Sequence, residues 1–572
     1  MKFSLIGFNC RFTHSCLSLF YLRQELFKNI DDVAVNINQF TINDPYYPTL
    51  MQISRLKADA FFFSVYIWNA NIIKRIINDL AIIQPFSHLI LGGPQAIAFN
   101  TAELPAGCTV VSGEIEGIGR SFYTDLKNDS LRPSYHGARS GQFASPFTAD
   151  DFKDQLANRH IYYESSRGCP FSCSYCISSL EPGVRYKDIP QVRQELTEIL
   201  AHKPLSLRFV DRTFNASDKR ALEIWQFLQA ESSGTTFHFE IAPDLFSEEM
   251  FAFLQTIPPQ LFQFEIGIQS THAETLSAIS RKSSIRSSLD NIKRLVQLNT
   301  IHLHVDLILG LPFETFASFG KSFNDIFAIG PHYIQMGLLK VLPHTPLSGQ
   351  LTEFSIQHCS YPPYEVLSTA WLSHDELAEL FWFGECVEAF YNNRYFRAFF
   401  GFLQRNDQNG FQFFLELLES CRGHHFFNRA KTQLLMSEIL ADFIRDEPMR
   451  GLLQELLIYD WLRSGHRFLP DHLGPHVLKQ TKDQLWRELP QELPPFYSSV
   501  SRSNFFKQSL FVKFSGETLH ELELTEGEEG VLCFLNEKEN ALLELHKVVL
   551  LCRSARHLEP VDLKNRVVGS DM

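Results

Sequence analysis

Short apolar runs alternate with helix-like stretches over the first 126 residues, and this alternation limits the fold more than any other feature of the chain. The strand-like runs cover residues 3–8, 33–37, 60–66, 88–91 and 109–112. Strands separated by helices pair in parallel, because each helical crossover returns the chain to the same edge of the sheet. The sequence therefore predicts an α/β fold, with a Rossmann-like, flavodoxin-like domain over residues 1–126.

The alternation returns after a segment rich in Ser, Gly and Pro. Residues 127–158 lose their periodicity and are predicted to be a linker. Six further strand-like runs have the spacing of a TIM-type barrel, and they cover residues 160–165, 207–211, 236–241, 262–268, 303–309 and 333–339. Because a closed barrel of this type needs eight strands, residues 159–350 are predicted to form a partial (β/α)6 barrel.

The pattern becomes helical after about residue 360. Ser373 and Glu376 have the spacing of a capping box ahead of an apolar helical stretch. A mainly helical domain is therefore predicted over residues 361–497. Strand-like runs follow at 509–514, 521–524, 530–535 and 541–545, so residues 498–572 are predicted to form a small strand-rich module.

Composition restricts the classes of function. The net charge of -13 disfavours broad attraction to nucleic acid. No apolar run approaches the ~20 residues needed to cross a bilayer, and the first residues lack a secretory pattern, so we expect a cytoplasmic protein with no membrane partner. The 11 cysteines are dispersed, which favours free thiols and metal ligands over a disulfide framework.

Three of these cysteines form a compact motif directly after the first predicted barrel strand. Cys169, Cys173 and Cys176 give the pattern C-x-x-x-C-x-x-C within one loop. Thiolates at this spacing can hold an iron–sulfur cluster and leave one iron without a protein ligand. A structural zinc ion is the alternative, but it requires a fourth ligand, and the loop supplies none. Barrel enzymes place their chemistry at this end of the strands, which favours the cluster.

With Tyr175 before the last cysteine, the motif resembles the cluster loop of the radical S-adenosylmethionine (SAM) superfamily. The resemblance covers about residues 158–350 and continues at later strand ends. It implies a [4Fe–4S] cluster on the three cysteines, SAM as a second cofactor, and an electron donor such as flavodoxin or ferredoxin. By this resemblance Arg281 lies near the SAM carboxylate and Gly310 near its adenine. The SAM-binding residues that it implies are Asp211, Glu240, Gln269, Arg281 and Gly310.

The first domain is similar to that of the cobalamin-binding branch of this superfamily. In such relatives the corrin lies across the loops that follow the strands, and the resemblance assigns it here to Ser64, Gly92, Gly93, Gly113 and Glu114. The D-x-H-x-x-G motif that supplies an axial histidine to cobalt is absent. His14 stands near that position with different spacing, and we interpret it as a packing residue. The extension near Pro362 resembles that of a bacterial subgroup with a carboxyl-terminal domain of unknown function.

The resemblance implies reductive cleavage of SAM to a 5′-deoxyadenosyl radical, with methylation of an unactivated centre as the leading hypothesis. The alternatives are a cobalamin-dependent rearrangement or cyclisation, a methylthiotransferase-like enzyme, and a non-catalytic corrinoid or redox sensor. A methylthiotransferase needs a second cluster, for which Cys10, Cys16 and Cys108 are available at spacings that do not match that family. The sequence does not identify the substrate, the oligomeric state or the role of the carboxyl-terminal domains.

Overall fold

The computed structural model describes most of residues 1–474 and parts of the chain up to residue 560. Within the first range it leaves out Asn100, Gln142, Ser233, Asp407 and Arg467. Beyond residue 474 it describes residues 501, 503–504, 507, 509–525, 527–534, 549–554 and 557–560. In the portion described, every helix is too short or too polar to cross a lipid bilayer.

The first domain is a parallel sheet with helices on its faces. Its strands are β1 (Lys2–Asn9), β2 (Ala34–Thr41), β3 (Ala60–Ser64), β4 (His88–Gly92), β5 (Cys108–Gly113) and β6 (Ser134–Gly137). Its helices are α1 (Leu17–Asn29), α2 (Tyr46–Ser54), α3 (Ala70–Ile83) and α4 (Arg120–Lys127). The strand order is β2-β1-β3-β4-β5-β6, which is the predicted flavodoxin-like order with one added strand. The chain reverses direction across the sheet between β1 and β3, the place where such sheets bind ligands.

The added strand β6 lies inside the segment that was predicted to be a linker. It pairs in parallel with β5 through the register Val110↔Ser134 to Gly113↔Gly137. Gly113 has φ +76°, and a Cβ there would lie 2.0 Å from the carbonyl oxygen of Gly137, so this pairing needs glycine. The strand has only four residues and no apolar run, which explains why periodicity did not reveal it.

The second domain holds the six predicted parallel strands in chain order. They are β7 (Ile161–Tyr163), β10 (Ser206–Phe209), β11 (Thr236–Ile241), β12 (Phe262–Gln269), β13 (His302–Leu309) and β14 (Tyr333–Leu338). Between β7 and β10 lies an antiparallel hairpin of β8 (Ser166–Cys169) and β9 (Gly183–Tyr186). The helices are α5 (Ile189–Leu200), α6 (Asp218–Glu231), α7 (Glu248–Leu254), α8 (Ala273–Ala278), α9 (Ile285–Leu298) and α10 (Phe316–Phe327).

Side chains alternate between the two faces of this sheet. On β11, Phe237 and Phe239 are fully buried in an aromatic core around Trp225. The intervening His238 and Glu240 lie on the other face, which is polar and only partly buried. Because strand residues alternate in this way, the inner face of the sheet presents titratable groups from several strands to one space.

The remaining chain is helical and then strand-rich. It contains β15 (Gln357–His358), β16 (Val366–Ser368), α11 (His374–Val387), α12 (Arg397–Arg405), α13 (Gly410–Gly423), α14 (Gln433–Phe443) and α15 (Arg450–Arg463). An antiparallel sheet of β17 (Leu510–Phe514), β18 (Gly530–Phe534), β19 (Val549–Ser554) and β20 (His557–Pro560) follows, with α16 (Gly516–Glu521) after β17. The predicted capping box of α11 is confirmed, because Ser373 and Glu376 bond reciprocally.

One predicted strand of this region is wrong. Residues 521–524 end α16 and continue into a turn, because Ser515 accepts a hydrogen bond from the Thr518 N–H and starts a helix ahead of them. The predicted strand at 541–545 and the end of the predicted helical domain after residue 474 lie outside the described residues.

Candidate active site

The cysteine motif lies on the loop of the β8–β9 hairpin. Gly168 has φ +90°, and a Cβ there would lie 2.0 Å from the carbonyl oxygen of Gly183, so the hairpin requires glycine before the first cysteine. The loop is fixed to the rest of the domain at Ser174, whose N–H donates to Ile279 and whose carbonyl accepts from Leu347. The hairpin thus holds the loop over the carboxyl end of the sheet.

The three cysteines line one cavity of about 170 Å³. All three are free thiols, and Cys169 lies 3.5 Å from the hydroxyl of Thr213. Burial raises the pKa of the Cys173 thiol, and the neighbouring Arg281 guanidinium, at 3.7 Å, opposes this shift. Among the described residues, no three His, Cys, Asp or Glu side chains are close enough to bind a single metal ion. Three thiols around one cavity fit the donor set of a cluster with an open iron.

A cationic group and an amide form one wall of this cavity. Arg281 donates to the carbonyl oxygen of Gly267, and its Nε is buried without a hydrogen-bond partner in the described structure. Gln269 has φ +72°, and its amide group occupies the space that a Cβ on Gly267 would need. The unsatisfied guanidinium N–H suits an anionic group such as the carboxylate of SAM.

Three carboxyl groups also line this cavity. Glu240, Glu265 and Asp306 come from neighbouring strands and all line the cavity. Burial raises the pKa of Glu240 to about 7, and nearby Glu265 adds to the shift. Burial, Glu265 and Glu240 also raise the pKa of Asp306. A hydrogen bond from His238, at 3.2 Å, lowers the pKa of Glu265. Carboxyl groups and a guanidinium group that line one cavity suit a zwitterionic ligand with several hydroxyl groups, so the residues present fit SAM.

Two predicted SAM-binding residues do not line the cavity. Asp211 is buried and accepts hydrogen bonds from the Ser165 N–H and hydroxyl and from the Ser166 hydroxyl, at 2.6–2.9 Å. It therefore anchors the strand that leads into the cysteine hairpin. A Cβ on Gly310 would lie 2.7 Å from Cγ1 of Val366, so this glycine admits the β15–β16 hairpin. Direct contact of either residue with SAM stays a prediction.

The cavity also contains residues that the sequence analysis did not select. Arg212, Thr213, Glu265, Gly267 and Asp306 line it. Strand periodicity carried a usable signal, because Glu265, Gly267 and Gln269 are spaced two apart on β12 and β-strand residues at that spacing share one face. The same spacing joins His302, His304 and Asp306 on one face of β13.

The strand ends of the first domain form a second candidate site at the switch point between β1 and β3. The Asn69 amide donates to the carbonyl oxygens of Phe8 and Ser64, at 3.0 and 3.1 Å, and so joins the two strand ends. Trp68 is 45% exposed and stacks on Tyr66 with 4.4 Å between ring centroids. An aromatic plane that is half exposed at a ligand-binding edge suits a large planar cofactor.

The glycines predicted to contact cobalamin differ in what they adjoin. Gly93 has φ +104°, and a Cβ there would lie 2.6 Å from the carbonyl oxygen of Val65, so close packing of the chain itself requires glycine. Gly113 is needed for pairing with β6, as described above. Gly92 is different, because the nearest atom to its Cβ position is the Val111 carbonyl oxygen at 3.8 Å. Gly92 is thus the glycine with room beside it for a ligand.

The side chains of Ser64 and Glu114 interact with other residues of the protein. The Ser64 hydroxyl lies 2.7 Å from that of Ser18. Glu114 pairs with Arg167 at 3.2 Å and with Arg185, and these arginines flank the cysteine motif. Glu114 therefore connects the first domain to the cysteine hairpin, and a contact of either residue with a cofactor stays a prediction.

His14 packs against the second domain, as interpreted from the sequence. Its Nδ1 lies 3.1 Å from the Tyr162 hydroxyl, and its ring meets that of His160 edge to face. Burial and the charge of Arg208 lower the pKa of His14, which favours the neutral imidazole. The β1–α1 loop that carries it thus lies against the first strand of the second sheet.

The amino-terminal cysteines are separated in the fold. Cys10 and Cys16 follow the carboxyl end of β1, whereas Cys108 begins β5 and pairs there with Leu89 near the start of β4. Because parallel strands start at one edge and end at the other, Cys108 lies across the sheet from the other two. This separation disfavours a second cluster on these residues.

Two parts of the chain match known protein families. Residues 163–326 match the radical SAM superfamily, and residues 352–533 match a protein family of unknown function, DUF4080. Residues 163–326 are therefore a radical SAM domain, and such a domain implies a [4Fe–4S] cluster and SAM. The chain carries a Rossmann-like domain before this radical SAM domain and a DUF4080 match after it.

Two curated methyltransferases resemble the chain over part of its length. One is 2-(S-pantetheinyl)-carbapenam-3-carboxylate methyltransferase of Streptantibioticus cattleyicolor, 26% identical over 64% of this chain and 61% of the relative. The other is the cobalamin-dependent radical SAM methyltransferase TokK of Streptomyces tokunonensis, 27% identical over 48% of this chain and 43% of the relative. The chain thus spans less than two thirds of either relative.

Solved structures share the fold at low identity. OxsB with aqua-cobalamin bound, a cobalamin-dependent SAM radical enzyme, aligns with a TM-score of 0.55 and 13% identity over 80% of this chain and 78% of that one. The methyltransferase TsrM from Kitasatospora setae, with tryptophan and a SAM analogue bound, aligns with a TM-score of 0.50 and 15% identity over 64% and 80%. These alignments confirm the predicted α/β fold.

Proposed function

We propose that this protein is a cobalamin-dependent radical SAM methyltransferase. The observation that carries the proposal is the single cavity that three free thiols line together with Arg281, Glu240 and Asp306. The two curated relatives are named as methyltransferases, which supports methyl transfer as the reaction. When bound, the cluster and SAM supply reductive cleavage of a carbon–sulfur bond, and cobalamin supplies a transferable methyl group.

The chain's own residues would bind and orient SAM. Arg281 offers its buried Nε–H to an anionic group, while Gly267 leaves room for the Gln269 amide beside it. Glu240 and Asp306 would accept hydrogen bonds from ligand donors, and burial together with neighbouring carboxylates raises the pKa of both groups, which disfavours two charged carboxylates there. A cationic ligand group relieves this repulsion, so ligand binding and the ionisation of these acids are coupled.

The first domain would hold cobalamin at its switch point. Trp68 offers a half-exposed aromatic face there, and Gly92 leaves space beside the end of β4. Because the β1–α1 loop also packs against Tyr162 of the second domain, this edge adjoins the domain with the cysteine loop. The arrangement supports two cofactors serving one substrate. An electron donor such as flavodoxin or ferredoxin would supply the electrons, and the free thiols among the described residues suit a reducing cytoplasm.

The test is an anaerobic reaction with a strong reductant, cobalamin and SAM labelled in its methyl group. Methyl transfer of this kind consumes two molecules of SAM per product, one giving 5′-deoxyadenosine and one S-adenosylhomocysteine, so both should form in near-equal yield. Labelled methyl groups should appear in the substrate once it is found. Substrate conversion with 5′-deoxyadenosine but no label transfer would instead indicate a rearrangement or cyclisation. Absence of both products would indicate a sensor.

A further inference from the structure

One arginine on the polar face of the radical SAM sheet has no bonding partner among the described residues. Arg208 lies on β10 between Leu207 and Phe209, which are buried in the aromatic core, so its side chain lies on the opposite face. Its Nε–H is buried and makes no hydrogen bond, and its guanidinium group forms no ion pair within the described chain. Cations that are partly removed from water are normally paired, so Arg208 is suited to an anion from outside the chain.

The neighbouring strands place two polar side chains beside this arginine. Tyr162 on β7 and His238 on β11 are its partners in the parallel register. Each of the three residues stands between two buried core residues of its strand, so their side chains share the polar face. We call Tyr162, Arg208 and His238 the Arg208 row. The row brings a hydroxyl group, a guanidinium group and an imidazole together.

The groups around the row leave the positive charge of Arg208 uncompensated. A hydrogen bond from His238 is the main cause that lowers the pKa of Glu265, and the charge of Arg208 makes a smaller contribution. Burial, followed by the charge of Arg208, lowers the pKa of His14 and that of His160, the latter to about 4. Both of these imidazoles are therefore neutral at pH 7. An anion beside Arg208 would meet one cation and neutral hydrogen-bonding groups.

The Arg208 row adjoins both candidate cofactor sites. Glu240, which lines the cysteine cavity, follows His238 by two residues on β11, a rise of about 7 Å. On the other side, the Tyr162 hydroxyl lies 3.1 Å from His14 of the β1–α1 loop. Trp68 bonds to the carboxyl end of β1, directly before that loop. A substrate that both cofactors serve would therefore lie within reach of the row.

We propose that Arg208 binds an anionic group of the substrate, either a carboxylate or a phosphate. A planar guanidinium group can bind either of them through two parallel hydrogen bonds. The inference rests on the proposed function, because it identifies the bound molecule as the substrate of the methyl transfer. It assigns that substrate to the class of organic anions.

Calorimetric titration tests the proposal, with acetate and inorganic phosphate as probes. The full-length protein is reconstituted anaerobically with its cluster, cobalamin and SAM, and no reductant is added, so that SAM covers Arg281 and is not cleaved. At constant ionic strength, at least one of the two anions should bind saturably with one site per chain. Tighter binding of acetate would assign a carboxylate to the substrate, and tighter binding of phosphate would assign a phosphate. No saturable binding of either anion up to about 50 mM would overturn the proposal.

Variants locate the binding. Arg208→Met removes the charge and keeps an unbranched side chain, so it should weaken binding of the tighter anion at least about tenfold. Arg208→Lys should weaken it less, because it keeps the charge and loses only the paired donors. Arg294→Gln is the matched control, because Arg294 is a surface arginine paired with Glu248. Equal affinity in Arg208→Met and the control would contradict the proposal.

Thermal unfolding separates binding from a structural role of Arg208. Without an added anion, Arg208→Met should not lower the unfolding temperature, because the arginine loses no hydrogen bond or ion pair. The tighter anion should raise the unfolding temperature of the parent relative to chloride and should not do so in Arg208→Met. A lower unfolding temperature of the anion-free variant, with the same response to the anion as the parent, would indicate a structural role and contradict the proposal.

SAM cleavage in the same preparation, measured after a reductant is added, tests the proposed function separately. Cleavage without saturable anion binding would refute the anion site alone. Saturable binding that depends on Arg208, in a preparation that does not cleave SAM, would support the anion site and refute the proposed function.

Discussion

Glycines at the strand ends of the first domain have different structural roles. Gly93 and Gly113 have positive φ and lie against backbone, whereas a Cβ on Gly92 would make only an ordinary van der Waals contact, 3.8 Å from the Val111 carbonyl oxygen. The sequence placed all three at strand ends, but it could not separate these roles, because the distinction depends on how the following strands pack. The cysteine motif needed no such information, since its spacing alone brings three thiols into one loop.

The neighbouring glycines Gly92 and Gly93 provide a matched pair for testing the cobalamin site. Gly92→Val should reduce retained cobalamin while the protein keeps its thermal unfolding temperature, because the Cβ position meets no protein atom closer than 3.8 Å. Gly93→Val should lower the unfolding temperature, because it meets Val65 backbone at 2.6 Å in a conformation that suits glycine. The measurements are cobalamin absorbance after purification and thermal unfolding. If both variants unfold like the parent and keep full cobalamin, Gly92 does not adjoin the cofactor.

The ionisation of Glu240 predicts a pH dependence of stability. Burial raises the pKa of Glu240 from 4.5 to about 7 in the folded protein, so its stabilising effect is complete below pH 4.5 and is lost as pH rises through 7. Glu240→Gln cannot ionise. The variant should therefore gain thermal stability relative to the parent between pH 5.5 and pH 8 in the ligand-free protein. A constant difference across that range would contradict the shift, and Glu223→Gln on the exposed face of α6 is the control.

At the scale of elements, most strands of both parallel sheets could be predicted because they are apolar runs with a regular spacing. The elements that escaped prediction are short and polar, such as β6 and the β8–β9 hairpin, which depend on glycine geometry and on partners distant in sequence. The packing of the DUF4080 helices against the second sheet could also not be predicted from the sequence. Asn392 and Asn393 are adjacent and look equivalent in sequence.

The structure separates these two asparagines. The buried Asn392 accepts from the N–H of Ile334 and donates to its carbonyl oxygen, both at 2.9 Å, and so covers the edge of β14. The exposed Asn393 bonds only within its own helix, to Ala389. Asn392→Ala should destabilise the protein by about 2 kcal/mol, because it leaves buried backbone groups unpaired. Asn393→Ala should change stability little in the same denaturant titration. Similar effects of the two variants would refute this docking contact.

At the scale of the whole molecule, the first domain contacts both the cysteine hairpin and the β15–β16 hairpin. Glu114 and Glu116 of the first domain pair with Arg167, directly before the motif, at 3.2 and 2.8 Å. The tip of the β15–β16 hairpin reaches the first domain through Tyr364, whose hydroxyl accepts from the Gln95 amide at 2.8 Å. These contacts join residues far apart in sequence, so the periodicity of the sequence could not predict them.

Loss of the Glu114 charge should weaken the contact between the first domain and the cysteine hairpin. Burial alone would raise the pKa of Glu114, but hydrogen bonds from Arg185 and Ser140 lower it overall. Its stabilising effect is therefore present at pH 7 and lost as pH falls below 4.5. Glu114→Gln should lower the unfolding temperature at pH 7 by at least about 3 °C and speed hydrogen exchange in the cysteine hairpin. Glu248→Gln, which removes an exposed partner of Arg294, should do neither. Equal behaviour of the two variants would argue against the junction.

The most direct measurement is SAM cleavage by matched triple variants after anaerobic reconstitution with iron and sulfide. Replacing Cys169, Cys173 and Cys176 with Ala should abolish the visible absorption of the cluster and the formation of 5′-deoxyadenosine. The control replaces three other partly exposed thiols, Cys10, Cys108 and Cys359, and should keep about four irons per chain and full cleavage. A cluster and cleavage that survive loss of the motif cysteines would contradict the assignment, as would loss of either in the control.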